Sequence, residues 1–280
     1  MRITAETVTA ANRSTVGPPR LLGIVLAAGL LAACGAASTP TTASSGGPGG
    51  SSAGASLSGT ITVFAASSLK EAFTTLGANF EAAHPGVKVT FSFAASSALS
   101  TQITQGAPAD VFASASGTTM AQVVAAGKAA GSKNFVKNVM EIAVPPANPG
   151  GVAALADLAK PAVKVALCQP QVPCGSTAAK IFANAKITVR PVTLEPDVKS
   201  VLGKVTLGEV DAGVVYVTDV RAAGTTVKGI PIPASVNAST TYPIAPLTGS
   251  ANATVAQAFV DYVLSAPGIA VLTGDGFEQP

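Results

Sequence analysis

The pentapeptide Phe-Ala-Ala-Ser-Ser occurs twice in this chain, at residues 64–68 and 93–97, so the copies start 29 positions apart. An alternating apolar run precedes each copy, a helix-like stretch follows it, and the spacing is that of one strand–helix–strand unit. We therefore expect two Ser-Ser pairs at the carboxyl ends of neighbouring parallel strands, where open α/β sheets bind ligands. Helix starts there present free N–H groups and a positive dipole end, so the pattern predicts a site for a small anion.

The N-terminus reads as a targeting segment. Arg13 and Arg20 precede an apolar run, residues 21–33, that ends in Leu-Ala-Ala-Cys at Cys34, the pattern of a bacterial lipoprotein signal. The run is too short to span a membrane, and the small residues before the cysteine suit cleavage there. We predict a signal peptide over residues 1–33 and a lipid on Cys34 that holds the protein at the outer face of the cell membrane. The alternative is a short membrane anchor that is never cut.

The next segment differs sharply in composition. Residues 34–58 carry the cysteine to be lipidated and then mostly Gly, Ser, Ala, Thr and Pro, with Leu57 the only bulky side chain. Such a segment buries too little apolar surface to offset its ordering entropy, which predicts a flexible tether.

The remaining residues, 59–280, are enough for a substantial core. Strand-like and helix-like segments alternate, which indicates an α/β fold with mostly parallel sheets flanked by helices. A second strand–loop–helix unit starts at Val163, so two lobes are expected. We assign residues 59–138 plus 250–280 to lobe 1 and residues 139–249 to lobe 2.

Charge and composition argue against a nucleic acid as the partner. The chain is 48% hydrophobic and only 11% charged, with 17 Lys plus Arg against 14 Asp plus Glu. Loss of residues 1–33 removes three arginines and one glutamate, which leaves 14 against 13 and a net charge of +1. The basic residues are scattered, whereas nucleic-acid binding needs a clustered basic surface.

The cysteines fit an exported protein. Besides Cys34, the chain has Cys168 and Cys174, separated by a short loop with two prolines. In an oxidising compartment such a pair predicts a disulfide, the alternative being two buried thiols. Two cysteines and one distant histidine do not make a four-ligand metal site.

The sequence also argues against catalysis. His84 is the only histidine and stands in a helix-ending turn before Pro85-Gly86. A Ser-His-Asp hydrolase would therefore lack its general base. The chain contains no Gly-x-Ser-x-Gly elbow, dinucleotide fingerprint or P-loop. We predict that the protein is no enzyme and that the anion is bound and not transformed.

Three candidate binding positions stand at predicted helix starts. Ser68 and Ser96 belong to the two pentapeptides, and Cys174 precedes Gly175 after the predicted strand 163–167. A serine at a helix start is ordinarily an N-cap, and the cysteine segment could simply be a helix beginning beside a disulfide. The matching of the two Ser-Ser pairs favours joint ligand binding.

Two further candidates follow later in the chain. Asp197 opens a fourth helix as a predicted N-cap, which would leave the backbone N–H of Val198 facing open space. Tyr216 lies in an apolar strand, where tyrosine ordinarily belongs to the core. A buried hydroxyl still needs a partner, and an anion oxygen would serve.

These segments resemble the molybdate-binding proteins of bacterial ABC importers, and the resemblance covers nearly all of residues 59–280. It rests on motifs in one order along the chain: 62–69 (TVFAASSL), 93–99 (FAASSAL), 105–112 (QGAPADVF), 172–175 (VPCG), 195–198 (EPDV), 213–216 (GVVY) and 276–277 (GF). The lipoprotein signal and the Gly/Ser tether look like the version found in Gram-positive and actinobacterial lineages.

The resemblance implies a two-lobe periplasmic-binding-protein fold of type II that closes by a hinge over molybdate or tungstate. It also implies a receptor without a cofactor, expected to be a monomer, that delivers the oxyanion to an ABC permease. In the family the oxyanion is held by two serines, two backbone positions at helix starts and a tyrosine hydroxyl. Carried over, these fall on Ser68, Ser96, Cys174, Val198 and Tyr216.

Cys174 and Ser96 match the family motif less directly than the other three positions. Cys174 stands where the family more commonly has alanine, a change that a backbone N–H contact would survive. Ser96 is chosen over Ser97 by alignment with the family motif.

Other ligands and another class of protein compete with molybdate binding. Ferric-ion receptors generally use adjacent tyrosines, whereas Tyr216, Tyr242 and Tyr262 are isolated. Phosphate, partly protonated at neutral pH, would need a carboxylate acceptor, and Asp197 or Asp110 would have to turn inward to provide it. Sulfate remains a competing ligand, and a non-catalytic envelope lipoprotein, in which the serines are caps only, remains a competing class.

Overall fold

The computed structural model describes residues 56–280. The predicted signal peptide, the lipidation site Cys34 and nearly all of the predicted tether lie outside the described residues. The last tether residues are ordered against the body of the protein, since Leu57 packs on the core and the first strand begins at Ser58.

The described chain forms nine strands. Their bounds are β1 Ser58–Ala66, β2 Gly86–Ala94, β3 Val111–Ala113, β4 Lys133–Val144, β5 Val165–Cys168, β6 Thr193–Glu195, β7 Ala212–Tyr216, β8 Lys228–Pro231 and β9 Ser239–Pro246. Hydrogen bonding orders them β2-β1-β3-β9-β4-β7-β5-β6, with β8 also paired to β4.

Eight α-helices connect and cover these strands. Their bounds are α1 Lys70–Ala83, α2 Ser96–Thr104, α3 Gly117–Ala125, α4 Pro173–Ala185, α5 Val198–Thr206, α6 Val217–Ala223, α7 Ala253–Leu264 and α8 Ala266–Gly274. Short 3-10 turns occupy Ser67–Leu69, Leu155–Ala159 and Gly224–Thr226. No single helix between residues 56 and 280 is long and apolar enough to cross a membrane; α7 and α8 meet that test only together, across a 60° bend.

Strand β4 joins two halves of the molecule. Its first part, from Lys133 to Val139, pairs with β9, and its second part, from Met140 to Val144, pairs with β7 and β8. We call the half built on β1, β2, β3, β9 and the first part of β4 lobe 1, and the half built on β5 to β8 and the second part lobe 2. Each lobe has three parallel strands. The antiparallel pairs all include β4 or β9: they are β3–β9, β4–β9, β4–β7 and β4–β8.

The lobe boundaries proposed from the sequence need adjustment at one place. Strand β9 pairs with β3 and with the first part of β4, and its residues Tyr242 and Ile244 belong to the core of lobe 1. We therefore propose that lobe 2 ends before Ser239 and not at residue 249. The hydrophobic run 241–247 carried no signal of which sheet it would join.

Strand alternation explains how lobe 1 buries both faces of its sheet. Val63 and Ala65 face a cluster with α1, α7 and α8, while Phe64, between them, faces a cluster with α2 and α3. Phe73 of α1 packs edge-on against Phe259 of α7, with ring centroids 6.3 Å apart. In lobe 2 a single cluster joins α4 and α5 to β5 and β7. Helices on both sides of the sheet leave the carboxyl ends of the strands free for a site.

The two pentapeptides end at the same edge of the sheet. Strands β1 and β2 are parallel neighbours, and Ala66 pairs with Ala94 at their carboxyl ends. Ser67 then opens a 3-10 turn and Ser96 opens α2. This confirms the placement expected from the repeat.

Two helices were not predicted. Residues 266–274 form α8, because the Ser265 side chain accepts from the Gly268 N–H and a proline stands in the first turn. Helix α6 follows β7 without any intervening break, and Asp219 in its first turn accepts from the Tyr216 N–H. The start of α6 has no glycine or proline boundary, and the Ser265 and proline at the start of α8 also suit a turn.

Candidate functional site

A single cavity between the lobes is lined by all five residues that the sequence singled out. The empty space in it measures about 220 Å³, part of which is open to solvent. The lining residues come from four helix starts and one strand end: Ala66, Ser67, Ser68, Ala94, Ala95, Ser96, Ala115, Pro173, Cys174, Asp197, Val198 and Tyr216. The structure thus brings together Ser68, Ser96, Cys174, Val198 and Tyr216 in a space suited to a small ligand.

The two serines present their hydroxyl groups and do not act as caps. The N-cap positions of their helices are Ala66 and Ala95, and neither helix start has a side-chain cap. The Ser96 hydroxyl accepts from the Ala115 N–H at 2.9 Å, which leaves its own hydrogen to donate elsewhere. Ser96 is buried, whereas Ser97 is half-buried and does not line the cavity. For these serines the cap-only interpretation is wrong.

The backbone at two further helix starts also faces the cavity. Cys174 lies in the first turn of α4, which has no side-chain cap, and the first N–H groups of a helix have no partner within it. In α5, Asp197 is the N-cap as predicted, and its carboxylate accepts from the N–H groups of Lys199 and Ser200. That cap leaves the N–H of Val198, the first helical residue, for the cavity.

Tyr216 supplies a hydroxyl with no hydrogen-bond partner among the described residues. Its side chain is fully buried, and burial raises the pKa of the phenol well above its ordinary value. The group is therefore a neutral O–H donor. A buried polar group without a partner costs about 1–3 kcal/mol, and this hydroxyl lies at the cavity wall, where it can donate to a ligand.

The cavity is lined by donors and contains no free charge. Asp197 is its one ionisable lining residue apart from Tyr216, and both Asp197 carboxylate oxygens are engaged by the first turn of α5. Lys70, the nearest cation along the sequence to Ser68, is exposed to solvent. Between residues 56 and 280 no cluster of His, Cys, Asp or Glu could hold a metal ion. Positive potential in the cavity therefore comes from the helix N-termini.

The disulfide predicted between Cys168 and Cys174 is present, with Cα atoms 5.8 Å apart. It ties the carboxyl end of β5 to the first turn of α4. A Cβ atom at Gly175 would overlap the carbonyl oxygens of Gln169 and Cys168. Glycine is needed at this position because the loop folds tightly onto the helix start.

Two residues beside the cavity escaped the sequence interpretation. The Tyr242 hydroxyl lies 2.8 Å from that of Ser68, and the Lys199 ammonium pairs with Glu71 and Asp219. Tyr242 and Lys199 stand in ordinary extended and helical patterns. Their partners are distant in sequence, so no local signal identified them.

Comparison with known proteins supports the resemblance found in the sequence. The model of the bacterial extracellular solute-binding protein family matches residues 61–278. The molybdate-binding protein ModA of Mycobacterium tuberculosis is 44% identical over 222 residues, which cover 79% of this chain and 85% of that protein. The molybdate-binding protein ModA of Escherichia coli is 32% identical over 234 residues, covering 73% of this chain and 83% of that protein.

Solved structures confirm the predicted fold class. The periplasmic molybdate-binding protein of Azotobacter vinelandii superposes with a TM-score of 0.69 at 20% identity, covering 79% of this chain and 99% of that one. The sulfate-binding protein SubI of Mycobacterium tuberculosis gives a TM-score of 0.68 at 20% identity, covering 79% and 86%. The fold is the two-lobe α/β fold of periplasmic binding proteins, which bind solutes without catalysis and without a cofactor. The chain belongs to the bacterial extracellular solute-binding protein family.

Proposed function

We propose that this protein is the receptor that binds molybdate, and also tungstate, outside the cytoplasm and delivers it to an ABC importer. The carrying observation is a cavity whose one carboxylate, that of Asp197, is used by a helix cap, and in which the buried Tyr216 hydroxyl has no partner among residues 56–280. Relatives named as molybdate-binding proteins match over most of the chain, which supports the same ligand here.

The chemistry of the cavity suits a fully deprotonated dianion. Such an ion only accepts hydrogen bonds, and the hydroxyls of Ser68, Ser96 and Tyr216 together with the N–H groups of Cys174 and Val198 only need to donate. The N-termini of α4 and α5 add the positive ends of two helix dipoles. We propose these five positions as the oxyanion-binding residues.

Phosphate fits this cavity less well, because its protonated form needs an acceptor. The Asp197 carboxylate is used by the cap of α5, and the Asp110 carboxylate accepts from the Thr62 N–H and pairs with Ser250. Asp197 lines the cavity with both carboxylate oxygens already engaged, and Asp110 is not a lining residue. Sulfate is also a fully deprotonated dianion and is smaller than molybdate, so cavity size is the proposed basis for choosing between the two.

The sequence motifs at the N-terminus support a proposed location and proposed partners. We propose that residues 1–33 are removed, that a lipid on Cys34 holds the protein at the outer membrane face, and that residues 34–56 form the tether. The partner is then the membrane permease of the importer, met by a monomeric receptor. A non-catalytic scaffold lipoprotein is less well supported, since neither Ser68 nor Ser96 acts as a helix cap.

Thermal unfolding of the protein that begins after Cys34 tests the proposal, with molybdate, tungstate, sulfate and phosphate each added in turn. A ligand at a hundred times its Kd stabilises by about 2.7 kcal/mol and raises the midpoint by a few degrees. We expect a shift with molybdate and tungstate and none with sulfate or phosphate. No shift with any of the four would overturn the oxyanion receptor, and a shift with sulfate alone would reassign it.

A matched pair of variants then locates the site. Ser68→Ala combined with Ser96→Ala should abolish the molybdate shift, because both hydroxyls line the cavity. Ser97→Ala should retain it, because Ser97 stands beside Ser96 and outside the lining. A full molybdate shift in the Ser68→Ala, Ser96→Ala variant would place the site elsewhere.

A further inference from the structure

One ammonium group connects the two lobes beside the cavity. The Lys199 Nζ atom, on α5 of lobe 2, lies 2.8 Å from a Glu71 carboxylate oxygen on α1 of lobe 1. The same atom lies 3.0 Å from a carboxylate oxygen of Asp219, on α6 of lobe 2. We call these three residues the ion-pair triad. It has one member in lobe 1 and two in lobe 2.

Each member of the triad is close in sequence to a proposed oxyanion-binding residue. Lys199 directly follows Val198, and its N–H is held by the same Asp197 cap. Glu71 comes three residues after Ser68, in the first turn of α1. Asp219 comes three residues after Tyr216 and accepts from its N–H at 3.1 Å. The triad therefore forms only when the two sides of the cavity are in the arrangement that brings these donors together.

Burial divides the triad into a permanent pair and a separable contact. Asp219 is fully buried, so its charge needs Lys199 in any arrangement of lobe 2. Both residues belong to lobe 2 and would stay together if the lobes parted. The Glu71 side chain is 45% exposed, and it is the one member of the triad that belongs to lobe 1. Separation of the lobes would thus break the Lys199–Glu71 contact and leave both groups solvated.

We propose that Lys199 and Glu71 form an inter-lobe latch that favours the closed arrangement and slows escape of the bound anion. The latch rests on the proposed receptor function and adds to it a determinant of ligand residence time. Neither latch residue lines the cavity. They act through the positions of Val198 and Ser68, so they are positioning residues.

The chain offers a closely matched control for the latch. Glu209 pairs with Lys204 at 2.6 Å, and its side chain is 48% exposed, close to the value for Glu71. Lys204 is on α5, the same helix as Lys199, but both members of this pair belong to lobe 2. Glu71→Gln and Glu209→Gln therefore remove similar charges from similar surroundings, and only the first removes a contact between lobes.

The test measures molybdate affinity by titration calorimetry and molybdate release by a chase with excess tungstate, on the full chain in detergent. We expect Glu71→Gln to raise Kd about two- to fivefold, the range for a partly exposed ion pair. The change should lie mainly in the release rate. The difference in Kd between Glu71→Gln and the unmodified protein should vanish in 1 M salt, where the Debye length is about 3 Å. Glu209→Gln should match the unmodified protein.

The outcomes separate the latch from the receptor function. Absence of molybdate binding by the unmodified protein would overturn the receptor function and the latch with it. Normal binding by that protein, with Glu71→Gln indistinguishable from Glu209→Gln, would overturn the latch alone. Tighter binding by Glu71→Gln would also overturn it, since Glu71 would then act only by repelling the anion. Lys199→Gln is unsuitable as the main test, because it leaves the buried Asp219 carboxylate unpaired.

Discussion

The hydroxyl oxygens of Ser68 and Tyr242 lie 2.8 Å apart, although 174 positions separate the two residues in the chain. Tyr242 is fully buried in β9, and burial raises the pKa of its phenol, so the hydroxyl keeps its proton. If that proton is donated to Ser68, the serine hydrogen is free to point into the cavity. Tyr242 is thus placed to orient a binding hydroxyl without lining the cavity itself.

Replacement of Tyr242 by phenylalanine tests this orientation. Tyr242→Phe keeps the ring and removes the hydrogen bond to Ser68, and we expect molybdate affinity to fall about three- to tenfold, as for one net hydrogen bond of 0.5–1.5 kcal/mol. Titration calorimetry measures the change. Tyr262→Phe is the control, because the Tyr262 ring packs against Phe80, away from the cavity. Equal affinities in the two variants would contradict the role of Tyr242.

Tyr216→Phe should have opposite effects on the free and the bound protein. In the free protein it removes a buried hydroxyl that has no partner, so the unfolding midpoint should stay the same or rise. With molybdate present it removes a donor, and the affinity should fall about tenfold or more. Thermal unfolding with and without molybdate shows both effects. A less stable free protein that keeps its full molybdate shift would mean that Tyr216 is only a core residue.

The pH dependence of binding follows from the buried phenol. Burial raises the pKa of Tyr216 well above its ordinary value of about 10, so the hydroxyl remains a donor throughout the range from pH 7 to pH 10. We expect molybdate affinity to be flat over that range, as measured by calorimetry. An affinity that falls with a midpoint below pH 10 in the unmodified protein, but not in Tyr216→Phe, would show that the phenol ionises early.

The same shift predicts how stability depends on pH. A raised pKa in the folded state means that the folded protein holds its proton more tightly than the unfolded chain. The stabilisation is complete below the unfolded value of about 10 and is lost as pH rises above it. Urea unfolding at pH 9 and pH 11 should therefore show lower stability at the higher pH. In Tyr216→Phe the decrease should be smaller.

The disulfide should contribute to stability and to the shape of the site. It closes a loop with a sequence separation of six, for which the chain-entropy model gives about 2 kcal/mol. Cys168→Ser combined with Cys174→Ser should lower the free energy of unfolding by about that amount, measured in urea. Molybdate binding should weaken as well, because the first turn of α4 loses its tie to β5. Unchanged affinity would show that Pro173 and the packing of Gly175 hold this turn unaided.

Much of the site was predictable because it is built from local chain features. The repeated pentapeptide placed Ser68 and Ser96 at neighbouring strand ends, since parallel pairing of β1 and β2 follows from one strand–helix–strand unit. Asp197 before an apolar helix predicted its own cap and hence the free N–H of Val198. These features depend on hydrogen bonds that span only a few residues.

Other features depended on contacts that no local pattern encodes. An extended run such as 239–246 can join either lobe, and only the pairing of β9 with β3 and β4 decided it. Helix α8 was hidden because its start carries a Ser265 cap and a proline that also suit a turn.

The sequence by itself determined the class of fold, the disulfide and five residues that line the cavity, because strand alternation, helix starts and cysteine spacing are short-range constraints. Only the tertiary structure decided that Tyr242 supports Ser68 and that Lys199 bridges Glu71 and Asp219. Those pairs join residues far apart in the chain, and their geometry exists only once both lobes are packed. The physical reason is that side-chain hydrogen bonds and ion pairs are set by distance in space, which a linear pattern does not specify.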